Sequence, residues 1–155
     1  MKGGGWGALD PGRSKCGLVR SDANQEKVIQ ALIEPAATCL EWLDQWRNEG
    51  LEGVVLGDGT GSSDWPDRLR QLGLAVVMVD ERGSTLAARQ RYWELIPARH
   101  WQRLLPHGLR VPPRAIDDVV AQLLLERWLG RSLSRATTLE PPLQEQEVRR
   151  RRIQN

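Results

Sequence analysis

Four short stretches put carboxylates where the chain changes direction: ALDPG at 8–12, LGDGT at 56–60, MVDERG at 78–83 and AIDDV at 115–119. The first three each follow an apolar run. If those runs are neighbouring parallel strands, Asp10, Asp58 and the pair Asp80/Glu81 gather at their C-terminal ends, the edge where α/β sheets bind ligands. Asp117 opens a last helix that could dock on the same edge. Carboxylates crowded together raise one another's pKa unless a cation stands between them. Mg²⁺ resolves that conflict with hard oxygen ligands, retained waters and open positions for phosphate oxygens. Two such ions about 4 Å apart activate water and stabilise a leaving oxygen in phosphodiester cleavage.

Each acid also has a plainer reading. Asp10 before Pro11-Gly12 fits a turn. Asp58 fits a polar loop, and Asp80-Glu81 a solvated strand end. Asp117 and Asp118 suit the positive end of a helix dipole. It is their joint placement that points to metal chemistry. Competing chemistries fit less well. GDGTGSSD lacks the lysine of a phosphate-binding loop, and its glycines miss the spacing of a dinucleotide fingerprint. His100 and His107 have no Ser or Cys partner at hand for a nucleophilic triad or a zinc site.

The elements that must hold these acids follow from apolar period and turn signals. Residues 6–10 and 16–21 read as strands joined by a Pro-Gly turn, and 27–33 as a third strand. A helix is expected over 36–48, with Leu40, Leu43 and Trp46 on its buried face and Gly50 closing it. The runs 53–57 and 74–79 predict strands covered on both faces. Helices are expected near 64–72 and over 85–95, the latter capped by Ser84. A loop with one short helix at 99–105 leads to a last helix over 115–129. Its apolar positions Ile116, Val119, Val120, Leu123, Leu124 and Trp128 keep the helical period. Strand–strand–strand–helix–strand–helix–strand–helix–helix predicts a three-layer α/β fold around a mixed five-stranded sheet, antiparallel at first and then parallel. The domain is expected to span 1–132, followed by a disordered polar and basic tail at 133–155 that carries the run Arg149–Arg152.

With 155 residues the chain suits one domain with a real core. Net charge is +2 and the pI about 8.8, which permits a polyanionic partner without demanding one. No apolar run approaches the length of a membrane span, and the start lacks a signal-peptide core. The only two cysteines, Cys16 and Cys39, lie in apolar stretches and read as buried thiols of a reducing compartment. A cytoplasmic protein without a membrane partner is therefore expected, as monomer or homodimer. Between the third acid cluster and Asp117 runs a basic segment with Arg89, Arg91, Arg99, Arg103, Arg110 and Arg114 interleaved with Trp93 and Trp101. Arginines that hold phosphates beside an aromatic that stacks on an unpaired base are one reading of it. A solvated helix face with buried tryptophans is the other.

LDPGRSKCGLVRSD (9–22), GVVLGDGTGS (53–62), VVMVDERGST (76–85) and AIDDVVAQLLLERWL (115–129) occur in the order of the YqgF/RuvX family. Over residues 6–130 the chain resembles these RuvC-like Holliday junction resolvase-type proteins, also described as nucleases that process pre-16S rRNA. The resemblance implies an RNase H-like fold and a Mg²⁺- or Mn²⁺-dependent nuclease acting on RNA or branched DNA. It implies Asp10 and Asp117 as metal ligands, with Glu81 as a further ligand or as the group that orients the attacking water. Lys15 matches a basic position suited to phosphate contact, and Arg82 matches one near the site. Arg99, Arg103, Arg110 and Arg114 of the basic segment are further candidates for nucleic-acid contact. Two features depart from the pattern: the loop after the fourth strand, with its extra acid Asp58, and the length of the basic segment. They leave a second reading, a nucleic-acid- or ribosome-binding module of the same fold with weakened catalysis.

Overall fold

The computed structural model describes residues 4–59, 64–96, 102–106, 109–136 and 139. The element order is β1 (Trp6–Asp10), β2 (Cys16–Ser21), β3 (Lys27–Glu34), α1 (Ala36–Asn48), β4 (Gly53–Gly57), α2 (Trp65–Gln71), β5 (Ala75–Val79), α3 (Ser84–Leu95), α4 (Asp117–Leu129) and β6 (Ser134–Arg135). A single 3-10 turn at Gln102–Leu104 stands between α3 and α4.

The strands form one mixed sheet in the order β5-β4-β1-β2-β3-β6. β1, β2 and β3 pair antiparallel, whereas β4 runs parallel to β1 and β5 parallel to β4. The expected neighbourhood of the first, fourth and fifth strands is thus observed.

Strand alternation divides the core into two layers. Leu9, Leu18, Val54 and Leu56 point to one face, where Leu43 and Trp46 of α1 and Trp65 and Leu69 of α2 cover them. Ala8, Val19 and Val55 point to the other, against Ala121, Leu124 and Leu125 of α4. α3 packs outside α4 through Ala88, Tyr92, Val119 and Val120. Burying each of these aliphatic side chains contributes roughly 1.5–3 kcal/mol, so α4, buried on nearly every side, is the best-anchored helix of that layer.

Four expectations need correction. The sheet has six strands rather than five. Ser134 and Arg135 pair parallel with Lys27 and Val28, so the fold takes in residues assigned to the tail; two residues are too few to show a period. β5 is not covered on both faces. It is the sheet edge, with Ala75 and Met78 exposed, because no strand follows β4 and β5 on that side. Ser84 does not cap α3: it is the first helical residue, and Gly83, at a φ of 68° that favours glycine, precedes it without a side-chain cap. Finally, α4 is not a simple apolar stripe. Asp118, Gln122 and Glu126 are buried among its apolar neighbours. Arg99 and Trp101, with most of the tail, lie outside the described residues.

Candidate metal centre

Asp10 is the last residue of β1, and alternation puts its side chain on the face of Ala8, beneath α4. Its neighbours on both sides are glycines. On β2 its partner is Gly17. On β4 the parallel register pairs Leu9 with Leu56 and so brings Gly57 beside it. Each glycine admits another carboxylate-bearing segment. A Cβ on Gly17 would overlap the backbone carbonyl of Asp117, so the missing side chain lets the start of α4 sit on the sheet. A Cβ on Gly57 would collide with Oε2 of Glu81, whose carboxylate fills the space above β4 and also leans on Gly59. Neighbouring strands lie about 4.8 Å apart. Asp10 is therefore flanked by the backbone of Asp117 over β2 on one side and by the Glu81 carboxylate over β4 on the other.

The electrostatics agree with that layout. The Asp10 pKa is pushed from 3.8 up to about 7, first by burial, then by the negative charges of Asp117 and Glu81, with a smaller contribution from Cys16. Close anions and partial desolvation both disfavour the charged form. Among the described residues, no three His, Cys, Asp or Glu side chains are grouped so as to hold one metal ion. The three carboxylates offer oxygen donors alone, the kind that Mg²⁺ and Mn²⁺ take.

The neighbouring acids have other tasks. Asp58 follows β4, and its Oδ1 accepts the Glu81 N–H at 3.2 Å while its own N–H donates to the Val79 carbonyl at 3.0 Å. It therefore holds the turn that aims Glu81. Asp80 turns outward into an ion pair with Arg82, with nitrogen–oxygen distances of 3.0–3.2 Å, and that hydrogen-bonded pairing lowers its pKa. Arg127 of α4 donates to the Asp80 carbonyl at 2.9 Å and ties the same turn to the helix.

Asp118 points away from Asp10. Its carboxylate lies between Arg114, at 2.8 and 3.2 Å, and Arg135, at 3.0 Å. One helical turn on, Gln122 accepts from Arg135 Nε at 2.8 Å, and Glu126 receives both Arg91 Nε and Nη2, at 3.0 and 2.8 Å. A buried polar ladder thus runs along α4 and locks α3 and β6 onto it. This fixes the helix that carries Asp117.

Of the basic residues assigned to nucleic acid, the structure commits two to partners within the chain. Arg114 serves Asp118 and sits 5.3 Å over the Tyr92 ring. Arg110 donates to the carbonyls of Leu105 and Arg103, both at 3.1 Å. Lys15, on the β1–β2 turn beside Asp10, and Arg103 are exposed, and the Arg82 side chain is 91% exposed despite its pairing. Cys16 and Cys39 are both buried and unlinked by a disulfide. They lie on the α1 face of the sheet, opposite Asp10. A hydrogen bond from Cys39 lowers the Cys16 pKa and raises that of Cys39.

Sequence reasoning missed Gly17, Gly57 and the positioning role of Asp58. A glycine inside a strand is a recognised mark of close backbone approach, and Gly17 is such a case. No local pattern marks the Asp58–Glu81 bond, which spans 23 residues.

Compared with known proteins, the chain matches no family model. No curated protein matches it either. No described helix is long and apolar enough to cross a membrane.

Proposed function

We propose that the protein is a divalent-metal-dependent nuclease with an RNase H-like fold, hydrolysing phosphodiester bonds in structured RNA or branched DNA. The observation that carries this reading is Asp10 at the end of β1 with its pKa raised to about 7, first by burial and then by the nearby charges of Asp117 and Glu81. The sequence resemblance to the YqgF/RuvX family supports it independently, as does the mixed sheet with three antiparallel strands followed by parallel ones.

In this reading Asp10 and Asp117 hold Mg²⁺ or Mn²⁺, and Glu81 is a third ligand or orients the attacking water. When bound, such ions supply Lewis-acid activation of water and neutralise phosphate charge. The chain's own groups do the rest. Asp58 fixes the backbone that aims Glu81. The Asp118 ladder keeps Asp117 in register over Gly17. Lys15 and Arg82, beside the edge, steer and hold phosphates, with Arg103 further out.

The test is incubation of the pure protein with precursor rRNA and with four-way DNA junctions, with Mg²⁺, Mn²⁺ or chelator. Metal-dependent cutting of at least one substrate, abolished by Asp10→Asn and Asp117→Asn, is expected. Failure to cut either, or cutting that survives both substitutions, overturns the proposal.

A further inference from the structure

α3 begins three residues after Glu81 and leads away from the acid edge. Its outer side borders a cavity of about 440 Å³, a size suited to one small ligand. Leu86 and Val111, 66% and 76% exposed, form an apolar rim. Trp93 supplies an aromatic wall that is already fixed. Its Nε1 donates to the Arg110 carbonyl at 3.3 Å, and its ring packs on Tyr92 edge-on, with centroids 5.0 Å apart. Arg89 lines the same cavity, is exposed, and makes no hydrogen bond or ion pair with a described residue. Gln90 adds an amide in the same state. Glu94 also lines the cavity, its carboxylate neutralised by the ion pair with Arg91 at 2.9 Å. A preset indole, an uncommitted guanidinium and an amide beside an apolar rim match one ligand chemistry: a base that stacks, a phosphate that pairs and a base edge that hydrogen-bonds. A duplex hides its base faces and would leave the apolar rim facing water. A single strand exposes them.

We propose that α3 carries a subsite for an unpaired nucleotide, which holds the single-stranded part of the substrate. Trp93 stacks on the base, Arg89 takes a phosphate and Gln90 meets the base edge. The subsite rests on the nuclease reading for its purpose, since Trp93 stands nine residues into α3, about 14 Å along the helix from its start at the acid edge. The substrate is then one with a flap, loop or end next to the cut, rather than a continuous duplex.

The test is fluorescence anisotropy of the full chain with a labelled single-stranded octanucleotide, in chelator so that nothing is cut. Trp93→Leu is expected to raise the Kd about tenfold. Arg89→Gln, at an exposed position where folding is not at issue, is expected to raise it about threefold and to flatten the salt dependence by about 0.7 in slope. Neither change alters binding to the duplex of the same sequence. An octanucleotide that does not bind, or a Kd and salt slope untouched by both substitutions, overturns the subsite. The two readings separate cleanly. A protein that cuts nothing yet binds single strands through Trp93 and Arg89 loses the nuclease assignment and keeps the subsite. One that cuts but binds without them does the reverse.

Discussion

Replacing Asp10 by Asn should stabilise the metal-free protein, and the gain should depend on pH. The Asp10 carboxyl titrates near 7 in the fold and near 3.8 when exposed. Its folded-state pKa is raised, so the folded state binds the proton more tightly than the unfolded one. Stability is therefore intact below about pH 4 and is lost progressively up to about pH 7. A shift of roughly three units corresponds to about 4 kcal/mol. The group is only partly buried, and solvent screening reduces this to about 2 kcal/mol. Asn cannot ionise and escapes the loss. For a domain of this size the gap amounts to a Tm difference of about 4–8 °C. The assay is thermal unfolding of both proteins in chelator from pH 4 to pH 8. The variant should match the parent at pH 4 and exceed it at pH 8. Millimolar Mg²⁺ should restore the parent and leave the variant unchanged. Parallel curves for the two proteins across the whole range would refute the claim that burial and the neighbouring acids raise the Asp10 pKa.

Three further outcomes follow from the same geometry. Gly17→Ala forces a methyl into the Asp117 carbonyl; it should destabilise by about 1–3 kcal/mol and weaken Mg²⁺ binding, both read by urea unfolding with and without metal. Asp58→Ala removes the bond to the Glu81 N–H; calorimetry should show weaker Mg²⁺ binding while stability in chelator falls by only about 1 kcal/mol. Asp118→Ala takes the carboxylate from between Arg114 and Arg135, whose side chains are 17% and 5% exposed, and should cost about 3–5 kcal/mol in urea unfolding.

Much of this fold is legible from local pattern. The apolar runs at 6–10, 53–57 and 74–79 each end on or beside an acid, and their parallel adjacency brings those ends to one edge. The features that escaped are non-local. β5 is an edge because of what does not pair with it, which its own apolar residues cannot express. Asp118, Gln122 and Glu126 interrupt the apolar face of α4, and only the arrival of Arg91, Arg114 and Arg135 from other elements makes their burial tolerable. The choice between Asp80 and Glu81 depends on Arg82, which draws Asp80 outward. Arg110 and Arg114 read as phosphate binders because charge in a sequence carries no direction; Arg114 faces Asp118, and Arg110 is spent on the backbone carbonyls of its own loop.

The central claim is that Asp10, Glu81 and Asp117 form one cation-binding edge. Titration of the chain with Mn²⁺, followed by the loss of the free-ion electron paramagnetic resonance signal, tests it most directly. Saturable binding to the parent, strongly weakened by Asp10→Asn and by Asp117→Asn alike, is the predicted result. Binding that is absent from the parent, or as strong in either variant as in the parent, would contradict it.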